Sequence, residues 1–171
     1  MNVEVVEITG RFFRVADPDW SNPLDASYAA SVSGQRWNPA GVPCLYLNHD
    51  EQTAHANVAR LFVGKPYGPE DLDPSTAPLL IDLTIPAGLA ADAFTDEGLT
   101  ALGLPTSYPV DQSGDLITHD VCQPIGRDVH DADLDGVDCR SAAVGGTREL
   151  AWFPRDITPT VISTRAFNSW W

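Results

Sequence analysis

Lysine is almost missing from this chain. Lys65 stands alone, and the rest of the ten basic residues are arginine, set against 24 aspartates and glutamates. The resulting formal charge of −14 excludes the nucleic-acid backbone and anionic membranes as direct partners, because both would be repelled. It also requires that any anionic ligand meet positive charge gathered locally. Cysteine is scarce as well. Cys44, Cys122 and Cys139 are odd in number and far apart, which fits neither a disulfide framework nor zinc-ligand spacing. They read as small buried hydrophobes of a protein kept in the reducing cytoplasm, and no metal is expected. No stretch approaches the ~18 apolar residues of a membrane-crossing helix. The opening segment, Met1 to Glu7, has no basic start and no long apolar run, so it is not read as a signal peptide. The Gly-x-Gly-x-x-Gly spacing of a dinucleotide-binding loop does not occur, nor do internal repeats or an interdomain linker.

What is present describes one globular domain over residues 1–171, with 43% hydrophobic and 20% charged residues. Residues 3–8 and 11–16 are β-branched and aromatic, split by Thr9-Gly10, and form two short strands or one strand with a bulge. Arg14 lies among aromatics there, either as a rim residue or as a ligand contact. Residues 17–35 are loop. Pro43 to Leu47 reads as a strand, and Glu51 to Phe62 as a helix capped by Asn48 or Asp50. Residues 64–78 are loop. Leu79 to Ile85 is the clearest strand, with Pro86 and Gly88 expected to end it. A short helical patch surrounds Leu99 to Leu102. Ile117, Val121, Ile125 and Val129 recur every four residues and predict a helix over 116–132, kinked or begun at Pro124, with His119 and His130 on its surface side. Residues 135–141 turn into a short strand, and 149–153 and 158–163 are closing strands. Trp170-Trp171 is apolar enough to pack on the domain or on a partner. Short strands with a few helices and long loops, lacking regular strand–helix alternation, predict an α+β fold.

The most informative stretch is Ser33-Gly34-Gln35-Arg36-Trp37-Asn38-Pro39-Ala40-Gly41-Val42-Pro43-Cys44-Leu45-Tyr46-Leu47. Arg36 offers a rigid fork of donors suited to phosphate or carboxylate, and Tyr46 a flat face with a polar tip. A loop carrying such groups and pinned to a strand is a common way to build a small-molecule site. On the helix that follows, Glu51 falls at the N-terminal end of the apolar stripe and Asn57 on its flank. Each is open to a cleft or to solvent.

The pattern Arg-Trp-Asn-Pro-x-Gly-x-Pro-x-x-Tyr-Leu resembles the signature of the RES domain family, whose best-known members are NAD⁺-consuming toxins of toxin–antitoxin pairs with a fold related to ADP-ribosyltransferases. Phe13-Arg14-Val15 resembles the family's early Arg-Val segment. Asp135-Gly136-Val137 through Ser141, then Gly145-Gly146 and the strand from Leu150 to Phe153, resembles the segment bearing the signature Ser. The family's Glu lies eleven residues after the Tyr, and here that position is Asn57. A shifted alignment would nominate Glu51, but Asn57 fits without gaps.

The resemblance implies an ADP-ribosyltransferase-like fold, NAD⁺ as substrate and a cognate antitoxin. It implies that Arg36 holds the pyrophosphate or orients the ribose, that Tyr46 packs on nicotinamide or ribose, that Ser141 hydrogen-bonds ribose or amide, and that Arg14 helps with phosphate. Loss of the carboxylate at Asn57 would impair turnover by NAD⁺ glycohydrolase, phosphorylase or ADP-ribosyl transfer chemistry. The alternative is an inactive RES module that binds NAD⁺ or a protein. Water, phosphate and protein remain open as acceptors, as does a homo-oligomer. No motif places a His–Asp pair beside Ser141, so it is not read as a triad nucleophile.

Overall fold

Gly10 decides how the first strand is built. Its φ of +97° is left-handed territory, natural for glycine, and it sits where the register between Ile8 and Gly10 shifts against the neighbouring strand. The result is one bulged strand, β1 (Val5–Ala16). The computed structural model describes residues 3–31 and 33–171. The further strands are β2 (Leu45–Asn48), β3 (Leu79–Ala93), β4 (Gly136–Arg140), β5 (Arg148–Trp152) and β6 (Thr160–Arg165). The helices are α1 (Glu51–Arg60), α2 (Asp96–Ala101) and α3 (His119–Asp131).

Pro86 and Gly88 do not end β3, contrary to the sequence expectation; the strand runs eight residues further than Ile85, to Ala93. The reason lies in how its partners divide it. β6 pairs with Leu80–Thr84, β4 pairs in parallel with Ala90–Ala93, and the register against β1 is broken between Ile85 and Gly88. Pro86 therefore falls where no ladder requires its missing N–H.

The strands follow the order β1-β2-β5-β4-β3-β6, and β1 also pairs with β3 along its length, so five of them close into a ring. Period-two alternation fills that ring. Phe12, Leu45, Leu47, Leu83, Leu150 and Trp152 form one buried cluster. On the opposite face of β4 and β5, a second cluster joins Val137, Cys139 and Ala151 to α2, α3 and the loop residue Trp37. The third packs Ala54 and Val58 of α1 against Phe13, Leu80, Phe167 and Trp170, which places the C-terminal indole on the domain itself. Asp82, buried in β3, is held by Arg11 Nε and NH2 at 2.8 and 2.6 Å.

α3 differs from its predicted face. Val121 is 45% exposed, and the buried line is Cys122, Gly126 and Val129. Steps of four drift around a helix with 3.6 residues per turn, so Val121 turns outward while Ile117 and Val129 of the same series are buried. Gly126 is the point of closest approach: a Cβ there would stand 1.6 Å from the Trp37 carbonyl oxygen. Gly126→Ala should therefore destabilise the fold by ~1–3 kcal/mol as α3 is pushed off the loop, seen as a lowered denaturant midpoint. All three cysteines are buried, and burial pushes the Cys44, Cys122 and Cys139 thiols up in pKa. The native protein should accordingly show no thiol reactive to a disulfide reagent at neutral pH, with all three appearing on unfolding.

Candidate functional site

The loop before β2 is stapled by its own side chains. Asn38 is fully buried, and its Nδ2 donates to the carbonyls of Ala29 at 2.8 Å and Val42 at 2.9 Å. Its Oδ1 accepts from the Tyr46 hydroxyl at 2.9 Å, which in turn accepts from the Trp37 amide at 2.8 Å. The Trp37 indole donates to Cys139 Sγ at 3.2 Å. Gln123 of α3 donates to the carbonyls of Ser33 and Gln35. With Trp37 and Asn38 anchored inward, Arg36 is left at the wall of a cleft, with NH1 donating to the Ile117 carbonyl at 2.5 Å.

That cleft has a volume of about 450 Å³. It gathers Arg14, Arg36, Tyr46 and Asn57 from four separate parts of the chain. Arg14 lines the cleft from a buried position, with its guanidinium held by the protein. It is buried, donates from Nε to the Pro23 carbonyl at 2.7 Å and from NH1 to the Tyr46 carbonyl at 3.3 Å, and lies over the Trp20 ring. Burial lowers its pKa to about 10, which leaves it charged at neutral pH. Burial also raises the Tyr46 hydroxyl well above its ordinary range, so it stays a neutral hydrogen-bonding group. His119, expected on the surface, is exposed and also lines the cleft; desolvation first, then Arg36 and Arg60, lower its pKa.

Asn57 donates from Nδ2 to Asn48 Oδ1 at 2.8 Å and to Glu149 Oε1 at 2.9 Å. A carboxylate only accepts, so Glu149 fixes which end of the Asn57 amide faces it. Ser141 is fully buried behind the cleft wall rather than in its lining, and its Oγ donates to the same Glu149 Oε1 at 2.6 Å. It also accepts from the Ala143 amide at 3.0 Å. Ser141 thus reaches the cleft through Glu149, with no histidine beside it. Glu51 points elsewhere: its Oε1 pairs with Arg165 NH2 at 2.7 Å, and it does not line the cleft. Among the described residues no cluster of metal-ligating side chains occurs.

Residues 11–171 match the RES domain. The chain belongs to the RES domain family. No curated protein matches it in sequence. Its fold is similar to that of a chain in the crystal structure of the M. tuberculosis MbcT–MbcA toxin–antitoxin complex, with a TM-score of 0.75 and 18% identity over 97% of this chain and 89% of that one. The single α+β domain of mixed strands and few helices expected from the sequence is the fold that this similarity describes.

Sequence reasoning missed Glu149 in this RES domain. Its signal was a lone charge at the head of the apolar strand Leu150–Phe153, one side-chain period from Ala151 and so on the face opposite Leu150 and Trp152. It also missed Arg60 and Arg140, both in the cleft. Tyr46→Phe should lower stability by ~1–3 kcal/mol, because the buried Trp37 amide and Asn38 Oδ1 would both lose their partner. Denaturant unfolding would read this as a shifted midpoint at unchanged slope.

Proposed function

We propose that this RES domain binds NAD⁺ in the cleft and cleaves its nicotinamide–ribose bond, as the toxin of a toxin–antitoxin pair neutralised by a protein antitoxin. The observation that carries the reading is the cleft's charge. Three of the chain's ten basic residues, Arg14, Arg36 and Arg60, line it with no acid paired to them among the described residues, while Arg140 also touches it but is spent on Asp96 and the Phe94 and Thr106 carbonyls; Glu149 is its only acid among the described residues. In a protein of charge −14 this is where a pyrophosphate would be held. A volume of about 450 Å³ lies in the range of small-molecule sites.

In the proposed reaction the bond from ribose C1′ to the pyridinium nitrogen breaks, and its electron pair leaves with neutral nicotinamide. Positive charge then spreads over C1′ and the ring oxygen. A water oxygen bonds to C1′ and releases one proton to solvent, giving ADP-ribose; phosphate or a protein side chain can take the place of water. Arg36, with NH1 tied to the Ile117 carbonyl, presents the rest of its fork to the pyrophosphate. The exposed face of Tyr46 supports the ribose or nicotinamide while its hydroxyl holds the loop. Ser141 positions Glu149 rather than touching the ligand. An antitoxin would bring a basic face to this acidic surface.

A second reading, an inactive module that binds NAD⁺ or a protein, is favoured by one feature, the amide at Asn57 where the RES signature has a carboxylate. One experiment separates the two. Purified protein mixed with NAD⁺ should release nicotinamide, and Arg36→Ala should weaken NAD⁺ binding by roughly 10–100-fold, the effect of losing one charge-assisted contact. Calorimetric binding with no nicotinamide release would establish the inactive NAD⁺-binding module, and neither binding nor release would end both NAD⁺ readings and leave a module that binds a protein.

A further inference from the structure

We infer that Glu149, rather than residue 57, supplies the carboxylate of the cleft that faces the developing positive charge on the ribose; this rests on the proposed cleavage of NAD⁺. The chemistry asks for a fixed negative group next to a sugar that becomes cationic as the nicotinamide leaves with the bonding electrons. Among the described residues only Glu149 meets that requirement inside the cleft. The other nearby acids are committed elsewhere. Glu51 is paired with Arg165 outside the cleft, and Asp138 is fully buried between His49 and Arg148 on the opposite face of β4.

Glu149 is also held still. Its backbone lies between two strands, paired with Asn48 of β2 on one side and Cys139 of β4 on the other. Its Oε1 takes two hydrogen bonds, from Asn57 Nδ2 at 2.9 Å and Ser141 Oγ at 2.6 Å. Both bonds fall on Oε1, Oε2 takes none among the described residues, and the residue is only half-buried, so one oxygen is anchored and the other is left for a ligand. Asn57, by contrast, spends both amide hydrogens on Asn48 and Glu149. It works as the clamp on the carboxylate, and Ser141 as its second clamp. A carboxylate placed at position 57 would stand within hydrogen-bonding distance of Glu149, and two like charges there would repel.

The test compares the wild type with Glu149→Gln and Asn57→Glu, following nicotinamide release at saturating NAD⁺ and NAD⁺ binding by calorimetry. Glu149→Gln keeps the shape and the acceptor oxygen for both clamps. It should lower kcat by on the order of 10²–10³-fold, as the loss of one electrostatic group does, while NAD⁺ still binds. Asn57→Glu, read independently, should lower turnover rather than raise it. Turnover of Glu149→Gln within about threefold of wild type, far short of the loss of such a group, overturns the assignment, as does a gain in Asn57→Glu. A wild type that binds NAD⁺ but releases no nicotinamide, or does neither, overturns the cleavage reading and this inference together. Wild-type turnover with an unimpaired Glu149→Gln overturns this inference alone.

Discussion

The hydrogen bond from the Tyr46 hydroxyl to the Asn38 side chain joins the third residue of the Arg36-Trp37-Asn38 motif to the strand that follows, and the rest of the site depends on it. Asn38 has no exposure and no spare polar atom: both lone-pair and amide ends are used within the loop. Because a buried amide that loses a partner is costly, the loop has one favourable conformation. That conformation sends the Trp37 indole down to Cys139 and against α3, and it leaves the neighbouring guanidinium of Arg36 at the cleft. Two consecutive inward residues, Trp37 and Asn38, thus convert packing energy into the placement of the charge that precedes them.

The far wall follows the same logic with different groups. Asn48 at the end of β2 is buried, donates to the Phe13 carbonyl at 3.0 Å and accepts from Asn57. Through Asn57, Glu149 and Ser141 a single line of hydrogen bonds crosses from β1 to the residue after β4. Each group in it anchors the next, which holds the half-buried Asn57 and Glu149 in place while one carboxylate oxygen stays free. The same cleft is lined by Arg14, Arg36 and Arg60, so it joins positive charge to one negative group in a molecule that is otherwise strongly acidic.

Much of this was legible in the residue order, and the exceptions have identifiable causes. The Arg36–Tyr46 block and Arg14 could be picked out because each carries chemistry out of keeping with its neighbours, and Asn57 because it stands eleven residues after Tyr46, where the RES signature has its Glu; the structure brings all of them to one cleft. Ser141 arrived one layer behind it. Pro86 misled because a proline stops a strand only where its nitrogen is needed, and the sequence cannot reveal that the partners of β3 change at that place. Val121 misled because a four-residue series looks helical yet rotates off the face. Glu149 escaped notice because its value depends on Asn57 and Ser141, 92 and 8 residues away in the chain, and no local pattern records such a meeting.

The closure of the strands into a ring has a consequence for how this protein behaves among copies of itself. β2, β5 and β4 are each flanked and β1 meets β2 only at Phe13 and Asn48, while β6 pairs with β3 alone, so among the described residues β6 keeps one margin free along its length. Unpaired backbone of that kind is a template for unwanted strand addition, and here Val161 and Ile162 are exposed upon it. The threonines at 160 and 164, Ser163 and Arg165 interrupt the apolar run and act as gatekeepers. Guarding this margin against strand addition is thus left to four polar side chains near the C-terminus.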